Sequence, residues 1–496
     1  MRNSSLADYL GCILLKVLGP AIRLLPLGLS FFLGKLLGEA LYHLDLKHKA
    51  VAYANLKKVF AARMSPCELS RLTREFYRSF GQSLIEVFLI PVIDKKYIER
   101  YITIEGKEKV FAALSKGNGV ILAAVHAGSW ELANIISSNL GFAFSMFIRE
   151  QGLPRLNHLL NEYRKNRGCR IITREEGLRE VIASLKNNEA IGMTVDQGGN
   201  SGILIDFLGQ SASMPKGAVK LALKYNTPII PIFFTRLKGP KIKVLAGEEI
   251  PLSRQGLSLE ENLRRVISVF EDFILKYPKE YLWTYKIWKL SNKKKILILS
   301  DGKAGHLHQS EAVAREAEKI LSQRNYQVKV ERMEVKFRNK FSNMLFNLCV
   351  FLSGRYSCQG CLFCLRSLLA LQNYQELSTA TADIVISTGS SISGVNFILS
   401  RENLSKSIVN MRPSFLRIKR FNLVIAPSHD RLKEKKNVVI TDSALNLIDE
   451  EYLRKESERL ILNQGLNREE LYIGALIGGK SKGFNLSPKT VNQFTE

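Results

Sequence analysis

Gly119-Val120-Ile121-Leu122-Ala123-Ala124-Val125, followed at once by His126-Ala127-Gly128-Ser129-Trp130-Glu131, is the stretch on which the fold turns. An uncharged run of Val, Ile, Leu and Ala reads as a strand buried on both faces, as in the interior of a parallel sheet. His126 leaves that strand at its carboxyl end, where open α/β sheets place their ligands. Gly128 permits a tight turn. Ser129 reads as a helix N-cap, which puts Glu131 in the first helical turn.

A histidine that moves a proton needs a partner to fix its tautomer and to stabilise the imidazolium, and a carboxylate does both. His126 and Glu131 are therefore the expected catalytic pair, five positions apart but able to converge. Such a pair can take the proton from a hydroxyl attacking a thioester, with no serine or cysteine nucleophile. Taken alone, H-x-x-x-x-E fits a structural histidine at a strand end equally well.

Outward from this stretch the pattern alternates. Leu132–Ser138 reads as helix, Phe142–Ile148 as strand, Pro154–Lys165 as helix and Ala190–Val195 as strand. Lys216–Lys224 is a predicted helix, Pro228–Thr235 a buried strand and Leu259–Lys276 a last helix. The alternation predicts an α/β domain, its sheet mostly parallel and flanked by helices. Residues 47–95 have helical periodicity. Before them, Tyr9–Leu46 is strongly apolar but broken by Lys16, Pro20, Arg23, Pro26, Lys35 and Glu39. Its longest uncharged run, Leu24–Gly34, falls short of the ~20 residues a spanning helix needs. No small-residue cleavage site follows, so no secretory signal is expected. The expectation is a membrane-associated helical segment, lying in the interface with Lys and Arg snorkelling. A buried helical hairpin is the alternative.

Ser291-Asn292-Lys293-Lys294-Lys295 is a polar, basic seam, and a new strand is predicted at Ile296–Leu299. The reading divides the chain into residues 1–46, 47–290 and 294–496, the last a Rossmann-like α/β domain. In that domain Ser300-Asp301-Gly302-Lys303-Ala304-Gly305 lies between strand and helix. Gly302, Lys303 and Gly305 are candidate anion-binding residues at the helix N-terminus, a structural turn being the alternative.

The bulk composition narrows the partners. The 496 residues carry 72 Lys and Arg against 46 Asp and Glu, a net charge of +26. That favours anionic partners: nucleic acid, acidic lipid headgroups or an acidic carrier protein. A hydrophobic share of 46% supports an ordinary buried core. Seven cysteines in a chain of this length form no disulfide framework. Cys358, Cys361 and Cys364 have C-x-x-C-x-x-C spacing, with Cys349 upstream, but the usual fourth ligand after the run is absent. The surrounding Phe346–Leu369 reads as apolar helix, so buried structural thiols are expected and no metal.

Taken together, residues 10–290 resemble the lauroyl/myristoyl acyltransferases of lipid A synthesis, within the lysophospholipid acyltransferase superfamily. The likeness rests on Asn55-Leu56 before Phe60, on His126 to Glu131 where the family usually has H-x-G-N-W-E, and on Arg164 with Arg167-Gly168. It continues through Asp196-Gln197, Phe207-Leu208-Gly209, Pro215-Lys216-Gly217, Thr227 to Pro231, Tyr277-Pro278 and Trp288-Lys289. The resemblance implies transfer of a fatty acyl group from acyl carrier protein, or a CoA thioester, to a hydroxyl of a lipid A precursor. The place implied is the cytoplasmic face of a bacterial inner membrane, among anionic lipids, with no nucleic acid and no cofactor beyond the thioester. His126 is then the general base and Glu131 its orienting partner. Arg164 and Arg167 would bind phosphate on the acceptor or the donor's phosphopantetheine, a solvated helix face being the alternative. Asp196, with Gln197, would shape the substrate site or position the arginines. The family's closing W-x-H-x-R-W-K reads Trp283-Thr284-Tyr285-Lys286-Ile287-Trp288-Lys289, which puts the acceptor in question. Every motif assigned to acyl transfer lies before residue 291, so this part is expected to work without its neighbour.

Residues 294–496 resemble the plant mitochondrial fission protein family and its bacterial relatives, which look like two-lobed glycosyltransferases. The matching pieces include Asp383 to Ser387 with Gly389-Ser390, Phe421 to Val424, Pro427 to Asp430, Thr441 to Asn446 and Leu476 to Lys480. The resemblance implies that the second lobe is incomplete in this chain. Three other functions compete with the lead reading: an acyltransferase for another glycolipid or a lysophospholipid, a membrane scaffold with a degenerate acyltransferase, and a bifunctional enzyme that also transfers sugar.

Overall fold

The structure is a computed structural model and describes residues 6–148, 152–166, 170–173, 177–354, 359–360, 362–414, 416–467 and 469–474. Four helices open the chain: α1 (Leu6–Leu24), α2 (Leu27–Leu44), α3 (Leu46–Phe60) and α4 (Pro66–Leu89). Pro26 separates α1 from α2, where its ring ends one helix and admits the next. Ser65, Pro66 and Glu68 start α4 with a capping box. Small residues let α2 lie close on α4; a Cβ at Gly38 would sit 2.1 Å from the Tyr77 carbonyl oxygen. The opposite faces are bare. Leu10, Leu14 and Val17 of α1 and Phe32, Leu33 and Leu36 of α2 are exposed. Among the described residues no helix is long and apolar enough to cross a membrane.

Nine strands follow: β1 (Ile102–Glu105), β2 (Val120–Ala124), β3 (Phe144–Ile148), β4 (Arg170–Thr173), β5 (Ala190–Thr194), β6 (Ile203–Phe207), β7 (Gln210–Met214), β8 (Ile229–Lys238) and β9 (Lys241–Ala246). Seven form a sheet in the order β1-β9-β8-β2-β5-β3-β4, and β6 and β7 form a hairpin. Every neighbouring pair of the large sheet is parallel except β8 with β9. The α/β expectation with a mostly parallel sheet is met, and β2, read first from the sequence, lies in the middle of it. The predicted helices Pro154–Lys165 and Leu259–Lys276 occur with those bounds.

The second sheet is wholly parallel, in the order β11-β10-β12-β13-β14-β15. Its strands are β10 (Lys293–Ser300), β11 (Gln327–Glu334), β12 (Ile384–Thr388), β13 (Lys406–Asn410), β14 (Leu423–Pro427) and β15 (Val438–Thr441). The lysines read as a seam are the first residues of β10. Lys295 pairs with Glu331 on β11 at 2.7 Å, and the Lys294 ammonium lies over the Tyr326 ring, so strand pairing absorbs the charge.

Both sheets belong to one unit, Met1–Leu445. Lys57 on α3 meets Glu402, beyond β12, at 3.7 Å, and both side chains are buried. Glu402 also accepts the Gly360 amide at 2.6 Å. Lys58 reaches Asp383 at 3.2 Å. Asn446–Glu496 forms a second unit. Its helix Glu450–Gln464 is capped by Asp449.

Candidate active site

His126 stands two residues past the end of β2, at the carboxyl edge of the sheet. Three contacts fix the segment after it. Leu282 donates its amide to the His126 carbonyl at 2.8 Å, Gly128 donates to Glu280 at 2.9 Å, and Ala127 bridges Tyr281. Gly128 has φ +58°, and a Cβ there would lie 2.4 Å from the Phe234 carbonyl oxygen, so the turn requires glycine.

The carboxylate that meets His126 is Asp196, not Glu131. Ala124 of β2 pairs with Thr194 of the adjacent parallel strand β5, so the next residues emerge side by side. Asp196 is 2% exposed. It accepts the His126 backbone amide at 3.1 Å and lies 2.7 Å from Nδ1. With Nδ1–H donating to Asp196, the neutral ring keeps its lone pair on Nε2. Burial lowers the His126 pKa, but Asp196, and further off Glu131, outweigh it and hold the value above the ordinary one. Tyr281, fully buried, adds its hydroxyl to the Asp196 carboxylate; burial and that charge push the phenol up, so it stays protonated. Gln197 Nε2 is 3.3 Å from Nδ1, and the Trp130 ring meets the imidazole edge-on at 5.8 Å.

Glu131 turns instead to Arg164, whose Nη2 is 2.5 Å from its carboxylate. Nη1 of Arg164 donates to Asn161 at 2.9 Å. The guanidinium read as a phosphate ligand is thus engaged by Glu131 and Asn161 within the protein. Asp196 likewise positions the histidine rather than the arginines. Arg167 and Gly168 lie outside the described residues. The helix that carries Arg164 is capped from a distance: the Asp8 carboxylate of α1 accepts the amides of Arg155 and Leu156 at 3.2 and 3.0 Å.

Ser129 also departs from expectation. Its hydroxyl makes no cap bond; it donates to Glu86 at 3.0 Å and accepts from Arg236 at 2.8 Å. Arg236 and Glu86, both buried, pair at 2.7 Å. This network anchors the loop from below. Asn55 of α3 holds the closing aromatic segment, donating to the carbonyls of Trp283 and Tyr285, both at 2.7 Å.

Near the His126 loop lies an apolar cavity lined among others by Leu122, Ala124, Trp130, Ile136, Phe144 and Phe234. Trp130, whose ring meets the imidazole at 5.8 Å, also lines the cavity and so links the two.

In the second sheet Gly302 has φ +83°, Lys303 is the N-cap of helix Ala304–Gln323, and Gly305 lies in its first turn. The group there is the chain's own Asp301, met by His306 Nδ1 at 3.0 Å, Ser391 at 2.9 Å and Lys303 at 3.5 Å. Cys349 and Cys364 line a small apolar cavity with Phe346 and Leu362, while Cys358 and Cys361 lie outside the described residues.

The histidine–carboxylate pair at the sheet edge, with an apolar cavity near it, is an arrangement suited to a general base. A family model described as bacterial lipid A biosynthesis acyltransferase matches residues 2–290, and the chain belongs to that family. A second model, described as mitochondrial fission ELM1, matches residues 304–496. Among curated proteins, the phosphatidylinositol mannoside acyltransferase of Mycobacterium tuberculosis is 28% identical over 160 residues, 31% of this chain and 51% of that protein. The chain thus spans about half the length of that relative. The lipid A biosynthesis palmitoleoyltransferase of Escherichia coli K12 is 22% identical over 277 residues, 53% of this chain and 86% of that protein. The lipid A biosynthesis myristoyltransferase of the same organism is 20% identical over 258 residues, 51% of this chain and 79% of that protein.

Proposed function

We propose that the protein transfers a fatty acyl group from a thioester, acyl carrier protein or CoA, to a hydroxyl of a lipid A precursor or related glycolipid. The observation that carries this reading is the His126–Asp196 pair at 2.7 Å beside an apolar cavity. In this mechanism Nε2 of His126 takes the proton of the acceptor hydroxyl as its oxygen attacks the thioester carbonyl. The C–S bond breaks, and the leaving thiolate takes the proton back from the imidazolium. The products are an ester and a free thiol. Asp196 fixes the tautomer and stabilises the imidazolium between the two transfers. The acyl chain occupies the apolar cavity, and the Glu131–Arg164 pair walls the site on the side of helix Pro154–Lys165. The names of the relatives, lipid A and phosphatidylinositol mannoside, support a glycolipid acceptor.

We propose the cytoplasmic face of a bacterial inner membrane as the place of the reaction, a reading supported by the exposed leucines and phenylalanines of α1 and α2, which suit the interface. The test is mass spectrometry of the glycolipids of cells carrying the wild-type or the His126→Ala chain. The acylated product is expected only with the wild type; full acylation by His126→Ala sinks the mechanism.

A further inference from the structure

Helix Lys340–Leu352, in the half that holds the second sheet, is apolar on two sides. Ser342, Phe346, Asn347 and Val350 are buried. Phe341, Met344, Leu345, Leu348, Phe351 and Leu352 recur at helical spacing on the other side. Phe341 is 65% exposed, Met344 61%, Leu348 54% and Leu352 74%. A helix on the surface of a soluble domain carries polar residues on such a stripe. A continuous apolar face of this kind marks a contact surface.

Charge indicates what covers it. Between Glu334 and Glu376 the sequence contains no Asp or Glu. Arg338, Lys340 and Arg366 in the same stretch are all exposed, while Lys336 pairs with Glu334 at 2.8 Å. Phenylalanines and leucines rimmed by charge of one sign suit the interface of an anionic bilayer, where the apolar stripe sinks among acyl chains and the basic rim meets headgroups. The apolar groove of a protein partner requires no such rim.

Position supports the same occupant. Gln359, beyond the helix, donates to the Ala50 carbonyl of α3 at 3.2 Å. Gly360 packs against Tyr53 and Ser70. Ser70 in turn is 3.0 Å from the Tyr42 hydroxyl of α2. The segment is therefore tied to the helical layer that carries α2, whose outward face is itself bare and apolar.

We propose that helix Lys340–Leu352 is a second lipid-facing surface, which seats the fission-protein-like half on an anionic leaflet independently of residues 1–46. The experiment measures binding of the full chain to vesicles of phosphatidylethanolamine and phosphatidylglycerol, and needs no turnover, so it stands whether or not the acyl acceptor is a glycolipid. Leu348→Glu with Phe351→Glu should weaken that binding roughly tenfold, as two large apolar side chains lose their place in the interface. The parent's binding should fall on phosphatidylcholine vesicles. A Leu348→Trp chain keeps the face apolar; its added fluorescence should shift to the blue on these vesicles and be quenched by brominated acyl chains. Parental binding by the double glutamate variant, or an unquenched signal from Leu348→Trp, overturns the proposal. Loss of a dimer in place of loss of lipid binding overturns it too, in favour of a protein occupant.

Discussion

Each sheet holds a histidine–aspartate pair at its carboxyl edge, and the two are built differently. His126 and Asp196 come from neighbouring strands 70 positions apart and meet at 2.7 Å. His306 and Asp301 sit five positions apart on one loop and meet at 3.0 Å. Asp301 also serves Ser391 and Lys303, so its charge is divided among local partners. Asp196 serves the backbone and ring of His126 and the hydroxyl of Tyr281, and all of its bonding fixes one imidazole. A histidine and a carboxylate near each other are therefore not yet a site; what else the carboxylate holds, and whether a cavity borders the ring, decide the chemistry.

The largest expected effect separates the two pairs. His126→Ala and Asp196→Asn should each lower acyl transfer by on the order of a hundredfold to ten-thousandfold, the scale of losing a general base or its tautomer partner. His306→Ala and Asp301→Asn should leave it close to the wild-type rate, since neither side chain touches the reacting atoms at the edge of the first sheet. A comparable loss from the second pair would join the two edges into one catalytic unit.

The next effect concerns what joins the two halves. Lys57 and Glu402 are both buried, so removing one partner leaves an uncompensated charge. Glu402→Ala should destabilise the whole chain by about 3–5 kcal/mol in denaturant melts. Lys57→Met with Glu402→Leu should recover most of that. Lys58→Ala should cost under about 1 kcal/mol, because its pair with Asp383 is partly open to water. A chain truncated after residue 291 exposes the same buried lysine, so its stability should fall even though every acyl-transfer motif is retained. A Glu402→Ala melt superimposable on wild type would leave the halves independent.

A smaller effect is expected where Glu131 was first placed. Glu131→Gln should lower acyl transfer about tenfold, the ~1.5 kcal/mol scale of one charge-assisted hydrogen bond to Arg164. A loss as deep as that of Asp196→Asn would restore Glu131 as the histidine's principal partner.

The sequence carried the elements whose causes are local. Pro154 at the first helical position and Ser258 with Glu261 as a capping box mark helix starts, and both helices lie where they were read. The parallel sheet followed from β2 and the alternation around it. The hairpin β6–β7 was visible only as the motif Phe207-Leu208-Gly209; Leu208 at φ +53° and Gly209 at φ +78° form its tight turn. The lysines at 293–295 look solvated in one dimension; in the fold they open β10, where Lys295 pairs with Glu331 and Lys294 stacks on Tyr326. The site failed at the same point. Glu131 is legible as a partner because it is near in sequence, whereas Asp196 reaches His126 only once β2 and β5 lie side by side, and Tyr281 reaches Asp196 only through the closing segment. The sequence places Asp196 at the same sheet edge as His126, but its bond to the ring is legible only in the fold.

The finest test of the comparison is pH. The acceptor hydroxyl gives its proton to neutral His126, so kcat/KM should rise with pH as the imidazolium titrates. Burial works against the charged ring, and Asp196 works harder in its favour, so the limb should lie above the ordinary histidine value of about 6.5. Asp196→Asn removes the stabilising charge. The charged ring is then disfavoured, its pKa falls, and the limb should move to lower pH even while the maximal rate drops. Glu131→Gln should move it in the same direction, since Glu131 also favours the imidazolium. Asp301→Asn should not move it at all. Folding gives an independent reading of the same shift. A histidine pKa raised in the native state adds stability that is full below the unfolded value of about 6.5 and is lost as pH rises through the folded value. The stability gap between wild type and Asp196→Asn should therefore be widest in mild acid and narrow above neutrality. A limb that stays fixed in Asp196→Asn, with a stability gap independent of pH, would mean that Asp196 holds the His126 backbone but not its proton.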